Sequence, residues 1–442
     1  MRRHRFFCPA GVFCIFVMVW VSSGSPASPR PSWTLPVQKK VLDNGLTVIL
    51  QKDASSATTF LEILIKGGKR AEPSEKRGLA FLTTRLAVEI PDTDKVKQLM
   101  SLASRFSISS RGDYTLINIE CLSYNTEATL KILSKIFLDP LFSGLRIDAV
   151  KRYMQHQGKI EEDDSVIVGY LASLQAFFGK TGYAGSIYGD EESLEAIKGR
   201  DVKDFYETYF ITANMIFSGS SDLPEDQVLK LIEKYFAPIL QRKPVSPEPL
   251  VLLSPEEKKR VIERDTKQTL VSLAFAVPKI TPRSYAIFYL LENLLGKGPG
   301  SRLWPLRSEE RLAYNVNCRV TQMQEGGILE AYLETDNKKR DLALSGLKKV
   351  LAELSENGVT SAELQVTKTI AKANFLRDNE LRAARAATLA SFEALGLGVG
   401  YFNELISRLD GLTPDDINAA LKDVLDPDKG FEVVVGPKRG IQ

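Results

Sequence analysis

The chain has 442 residues, enough for two or three domains at about 150 residues each. Apolar residues make up 44% and charged residues 26%, the make-up of a soluble globular chain with a sizeable core, which excludes disorder beyond the termini. The formal charge is only +3, and three arginines lie in the first five residues, so a chain processed near residue 27 is neutral and has no electrostatic pull on nucleic acid or anionic membrane.

The start, "MRRHRFF", is basic; "CPAGVFCIFVMVWV" is apolar but short for a membrane span; "SSGSPAS" is small and polar. That order reads as a secretory signal peptide over residues 1–27, with a retained anchor as the alternative. Of the 4 cysteines, Cys8 and Cys14 fall in this segment, leaving Cys121 and Cys318. They could pair in an oxidising compartment or stand as two separate buried thiols. Of the 2 histidines, His4 also falls there, leaving His156 alone. Paired imidazoles for zinc are therefore excluded, and no Cys-x-x-Cys replaces them. His156 reads as an ordinary helix-surface residue.

From residue 35 to 240 the patterns alternate. "VLDNGLTVIL" predicts two short strands around an Asn44-Gly45 turn. "TTFLEILIKGG" is a strand ended by Gly67 and Gly68. Residues 74–89 are helical. "FSISSRGDYTLINIECL" is a long strand or a hairpin turning near Gly112. "NTEATLKILSKIFLDP" is an amphipathic helix capped at Asn125 and stopped at Pro140. A longer helix runs from about Leu145 to Glu162. "DVKDFYETYF", "NMIFSGSSD" and "PEDQVLKLIEKYF" follow as helix, strand and helix. Residues 241–260, rich in proline and charge, have the composition of a linker.

From 261 to 439 the same programme runs again. "QTLVSLAFAVPK" answers "TTFLEILIKGG", and "SYAIFYLLENLLG" answers "RGLAFLTTRLA". "GGILEAYLET" answers "YTLINIECLS". "KRDLALSGLKKVLAELSENG" and "SAELQVTKTIAKANFL" answer the two helices that follow it. "TPDDINAALKDVL" followed by "GFEVVVGP" answers "GRDVKDFYETYF" followed by "NMIFSGSSD". A repeat this long is no solenoid. It predicts a duplicated α+β domain, each copy a mixed sheet with helices packed on one face.

Five stretches, in order and at sensible distances, carry a resemblance: "LDNGLTVIL", "KRGLAFLTTRLA", the duplication, "ESLEAIKGRDVKDFYETYFITANMIFSGS" and "GPGSRLWPLRSEERLAYNV". Together they resemble the pitrilysin/insulinase family of zinc peptidases, in its two-domain branch that includes the mitochondrial processing peptidase. The resemblance implies two homologous domains forming a half-shell. Active members carry His-x-x-Glu-His on the first helix: two histidines one turn apart hold zinc and the glutamate takes a proton from its water. Laid on that motif, this chain has Phe81 and Arg85 at the histidines and Thr84 at the base. Counting back from "EEDD" puts Gln157 at the distal glutamate. All four positions are changed, so no metal is expected on this chain. The family's second domain supplies an arginine and, seven positions later, a tyrosine that bind the substrate backbone and the developing oxyanion. Arg307 and Tyr314 stand at that spacing. "GKGPGS", with Gly296, Gly298 and Gly300, resembles the family's glycine-rich substrate loop. It is too short for a phosphate cradle and no Walker lysine follows it.

The reading that follows is a non-catalytic subunit of a heterodimeric zinc peptidase, secreted across the inner membrane to the periplasm. The resemblance implies zinc in a homologous partner subunit, with none bound by this chain. It implies a peptide or unfolded polypeptide as substrate, and Arg307 and Tyr314 acting in trans. No nucleic acid is expected. The alternative is a scaffold or peptide-binding pseudopeptidase with no part in catalysis. An autonomous enzyme of another kind is opposed by the absence of metal-ligand clusters and of a Ser-His or Cys-His pair.

Overall fold

The computed structural model describes residues 36–89, 93–426 and 429–438. The stretch read as a signal peptide lies outside them.

The strands are β1 (Gln38–Val41), β2 (Thr47–Lys52), β3 (Thr58–Ile65), β4 (Arg105–Ser110), β5 (Thr115–Leu122) and β6 (Met215–Ser221) in the first half. The second half contributes β7 (Lys259–Glu263), β8 (Gln268–Val277), β9 (Asn315–Met323), β10 (Gly326–Asp336) and β11 (Phe431–Gly436). They form a six-stranded sheet ordered β1-β2-β6-β3-β5-β4 and a five-stranded sheet ordered β7-β11-β8-β10-β9. Without β1 the two orders coincide strand for strand. The pairings coincide too: β2 with β6 and β7 with β11 are parallel, and the remaining pairs are antiparallel. The duplication is therefore present pairing by pairing.

Local chemistry explains the elements. Gly45 sits at φ +85°, where a side chain would strain the turn between β1 and β2, and Asn44 Oδ1 accepts from Leu46 N at 3.1 Å. The stretch around Gly112 is a hairpin, with β4 and β5 in register from Ser110–Thr115. Two expectations are corrected. The helix expected over residues 74–89 begins later and spans Leu79–Val88. Asn125 precedes the helix Thr126–Leu138 but does not cap it, because its side-chain amide donates to Leu102 O instead, at 2.9 Å. Strand β7 begins inside the stretch with linker composition and is the counterpart of β2.

Each sheet carries helices of its own half on one face. In the first half, Leu79–Val88, Thr126–Leu138 and Glu225–Phe236 bury one continuous core with Leu61, Ile63, Ile117 and Phe217. Within it Phe217 and Phe137 set their rings against Phe236 at 4.8 and 6.0 Å. Each buried phenylalanine stabilises the fold by about 1.5–3 kcal/mol.

The opposite face of each sheet is covered by a helix from the other half. Ser165–Phe178, whose first turn is capped by Asp164 accepting from Val166 N at 2.8 Å, lies on β8 and β11. Its Ala172, Leu174, Phe177 and Phe178 share a core with Leu270, Ala274, Phe431 and Val433. The helix approaches closely at Gly169, where a Cβ would come 2.4 Å from Leu270 Cδ2. Reciprocally, Arg382–Ala394 lies on β3 and β6. Its alanines, Ala386 and Ala390 among them, permit the same close packing. The two halves are thus joined by a mutual exchange of equivalent helices.

Candidate functional site

The helix Leu79–Val88 starts from a strained position. Gly78 has φ +92°, and a Cβ there would also come 2.9 Å from Met154 Cε. The buried Glu72 carboxylate accepts from Gly78 N at 3.1 Å and Ala80 N at 2.9 Å, satisfying donors that a helix start leaves unpaired.

The side chains of this helix depart from metal chemistry. Phe81 is 3% exposed. Its ring stacks on Tyr153 at 6.5 Å and meets Tyr188 edge-on at 5.0 Å. Thr84 is buried, with Oγ1 donating to Ala80 O at 2.8 Å and meeting Thr115 Oγ1 at 3.2 Å. Arg85 is half-buried, its guanidinium 5.3 Å from the centre of the Tyr153 ring. Gln157 is half-buried one turn beyond Tyr153 on the helix Gly144–Asp163. Tyr153 therefore joins Phe81 to Arg85, and Gln157 lies on the same side of that helix. Burial, with Tyr153 and Glu161 adding to it, pushes the Tyr188 phenol up, so it stays a neutral hydroxyl at neutral pH. Among the described residues no group of three or more His, Cys, Asp and Glu side chains is placed to hold a metal ion. Phe81 and Thr84 offer an apolar ring and a satisfied hydroxyl, and Arg85 adds a positive charge.

Tyr153 and Tyr188 were not singled out by sequence reasoning. The available signal for Tyr153 was its place four residues before Gln157, an aromatic facing the same way. Nothing local marks Tyr188. His156 is exposed on the helix surface. Cys121 and Cys318 are both buried and both free.

In the second half, Arg307 lies on the short helix Trp304–Ser308, exposed, 4.9 Å from the Trp304 ring centre. Tyr314 is 59% exposed, while its backbone N–H donates to Glu334 O at 2.9 Å and continues the pairing of β9 with β10. Neither side chain has a hydrogen-bond partner among the described residues, and the structure does not bring the two into contact. Gly296 ends the helix Pro282–Gly296 against β9, where a Cβ would come 1.9 Å from Cys318 N. Gly298 and Gly300 have φ of +82° and +94°, with open space around them. The loop is thus shaped by packing at its start and by backbone conformation at its tip.

Two cavities flank these elements. One, of about 560 Å³, lies among the helices Gly144–Asp163 and Ser165–Phe178 and the stretch 186–194, lined by Met154, Gly158, Glu161, Ser186 and Asp190. The other, of about 810 Å³, lies between the halves and draws on Arg111, Tyr170, Tyr183, Tyr285, Arg319 and Phe392.

Residues 47–190 match the family model described as insulinase (peptidase family M16), and residues 196–370 match the one described as peptidase M16 inactive domain. The chain is similar to the "non-peptidase homolog YmxG" of Helicobacter pylori, 24% identical over 418 residues, covering 93% of this chain and 95% of that protein. It is similar to the "mitochondrial-processing peptidase subunit beta" of Neurospora crassa, 23% identical, covering 79% of this chain and 77% of that protein. A solved M16 inactive-domain structure from Pseudomonas fluorescens shares the fold, with a TM-score of 0.83, 22% identity, and coverage of 91% of this chain and 98% of that one.

Proposed function

The chain belongs to the insulinase family of peptidases, M16, and we propose that it is a non-catalytic subunit that works beside a zinc-bearing homologue. In this reading the mature chain is exported to the periplasm and holds an extended or unfolded polypeptide. It supplies Arg307 and Tyr314 in trans. The observation that carries the reading is the packing of Phe81 between Tyr153 and Tyr188, at a position that the resemblance aligns with a zinc-binding histidine of active members. Partnership is supported by the Neurospora relative, whose name makes it one subunit of a larger enzyme.

The chemistry assigned to this chain is electrostatic. Zinc in the partner would supply the activated water. Arg307 and Tyr314, exposed and with no side-chain hydrogen-bond partner among the described residues, would donate to the carbonyl oxygen as charge grows on it. Donors that bind the tetrahedral oxygen more tightly than the ground-state carbonyl raise kcat.

The test is reconstitution with the homologous zinc-bearing chain from the same organism. The expected result is a complex on size exclusion that cleaves peptides, with neither chain active alone. If the partner is fully active alone and gains nothing from this chain, the subunit reading fails and a scaffold role takes its place.

A further inference from the structure

We propose that Arg85 is a receptor for a carboxylate group on the bound polypeptide; the proposal rests on the reading that this chain holds one. Arg85 stands on the last turn of Leu79–Val88, half-buried, with its guanidinium carbon over the Tyr153 ring, 5.3 Å from the ring centre. A cation–π contact of this kind is made through charge and ring face and consumes no hydrogen-bond donor, so the guanidinium N–H groups keep their capacity to donate. Among the described residues no oxygen accepts from them. The carboxylate four residues on, Glu89, is engaged by Arg146 at 3.4 Å, and Arg146 also donates to Glu89 O at 2.8 Å. Several half-buried arginines elsewhere hold carboxylates, although Arg264 has none among the described residues: Arg302 holds Glu363, Arg319 holds Glu330, and Arg382 holds Asp53. Arg319 is the closest comparison, since it too lies over a tyrosine, Tyr170, at 3.7 Å, and there the chain provides the anion itself. At Arg85, where the ring is farther off at 5.3 Å, no such anion stands among the described residues.

The surroundings favour a ligand from outside. Tyr153 is 40% exposed, so the ring under the guanidinium opens to solvent. Phe81 and Tyr188 form an apolar floor that reduces screening of a charge pair. Gln157, one turn beyond Tyr153, adds an amide on the same helix face. A carboxylate matches the guanidinium fork with two parallel hydrogen bonds, whereas a neutral peptide carbonyl matches it with one. The group therefore selects a polypeptide that presents a carboxylate here, either from an acidic side chain or from its own C-terminus.

The experiment is fluorescence polarisation of the mature chain with one labelled extended peptide in four forms. They carry an internal glutamate or glutamine, each with a free or amidated C-terminus. The forms bearing the recognised carboxylate should bind on the order of ten- to a hundredfold tighter than the form with neither. Whichever carboxylate confers the gain identifies the source. Arg85→Gln should erase the preference, and Arg85→Lys should keep only part of it, since charge remains but the fork is lost. Comparison of the four forms on the unaltered chain does not depend on any variant folding. Equal binding of all four, or a preference that survives Arg85→Gln, overturns the receptor and leaves polypeptide binding standing. Absence of binding to all four overturns polypeptide binding and the receptor with it.

Discussion

Asp53, at the end of β2, accepts a hydrogen bond from Arg382 at 3.2 Å and is also paired with Arg385, although both arginines belong to the helix that crosses from the other half. The three side chains are 19%, 10% and 13% exposed. Arg382 also donates to Thr58 O at 2.6 Å, so the crossing helix is tied to the first sheet by charge as well as by its alanines.

Removing the shared carboxylate should loosen that joint. Asp53→Ala leaves two nearly buried guanidiniums facing each other and should cost about 3 kcal/mol in denaturant unfolding. Burial alone would raise the Asp53 carboxyl, but the hydrogen bonds from Arg382 and Ser55 overcome it and hold the group well below the usual carboxylate range. A depressed folded pKa contributes stability that is present above the unfolded value of about 3.9 and lost as pH falls below it. The gap between wild type and Asp53→Asn should therefore be full at pH 7, begin to narrow below about pH 4 and vanish only as pH falls through the depressed folded value.

Glu62 should act in the opposite sense. It is 1% exposed in β3, its Oε1 has no partner, and burial, tempered by the charge of Arg111, pushes it up to about 8. A raised folded pKa contributes stability present below the unfolded value and lost as pH rises to the folded one. Wild type should lose stability between about pH 5 and 8, and Glu62→Gln should remove this residue's share of the slope, at most about 1.4 kcal/mol per pH unit, leaving that of Glu72, which burial also pushes up to about 8. Melting curves across the range give the answer. Parallel slopes would place the titration elsewhere.

Phe81 should behave as a core residue. Phe81→Ala removes a ring in contact with two others and should cost about 3–5 kcal/mol. Phe81→Leu should cost less. For the same reason, restoring histidines at 81 and 85 and glutamates at 84 and 157 should not give a peptidase, since Tyr153 and Tyr188 remain in the space and nothing orients the new ligands. Peptide cleavage by the fourfold variant alone would contradict this.

The duplication was readable because each half repeats the same order of periodic segments, and order survives where residue identity does not. That Phe81, Thr84 and Arg85 differ in kind from imidazole and carboxylate was readable from residue type; the packing of Phe81 against Tyr153 and Tyr188 was not. The exchange of helices was not readable. Ser165–Phe178 is apolar nearly all round and Arg382–Ala394 is alanine-rich, and neither pattern says which sheet a helix covers. Strand β7, "KRVIE", was hidden by its charges, because an edge strand needs little apolar sequence. Asn125 had the right residue type for a cap, but Leu102 O offered its amide a tertiary partner that no local rule contains.

Arg307 and Tyr314 are exposed, so changing them should leave the chain's own stability within about 0.5 kcal/mol. In the reconstituted pair each should matter. Tyr314→Phe deletes one donor and should lower kcat by about 2.7–4 kcal/mol of transition-state stabilisation with little change in KM. Arg307→Lys separates charge from the planar fork. Full activity of the double variant Tyr314→Phe, Arg307→Ala would remove this chain from the chemistry and leave it as a holder of substrate.

The central claim is that the metal site on this chain is replaced by aromatic packing around Phe81. The most direct measurement is the zinc content of the purified mature chain after exhaustive dialysis, by elemental analysis. The predicted result is zinc far below one ion per chain, unchanged by Phe81→Leu. One zinc per chain that survives dialysis would contradict it.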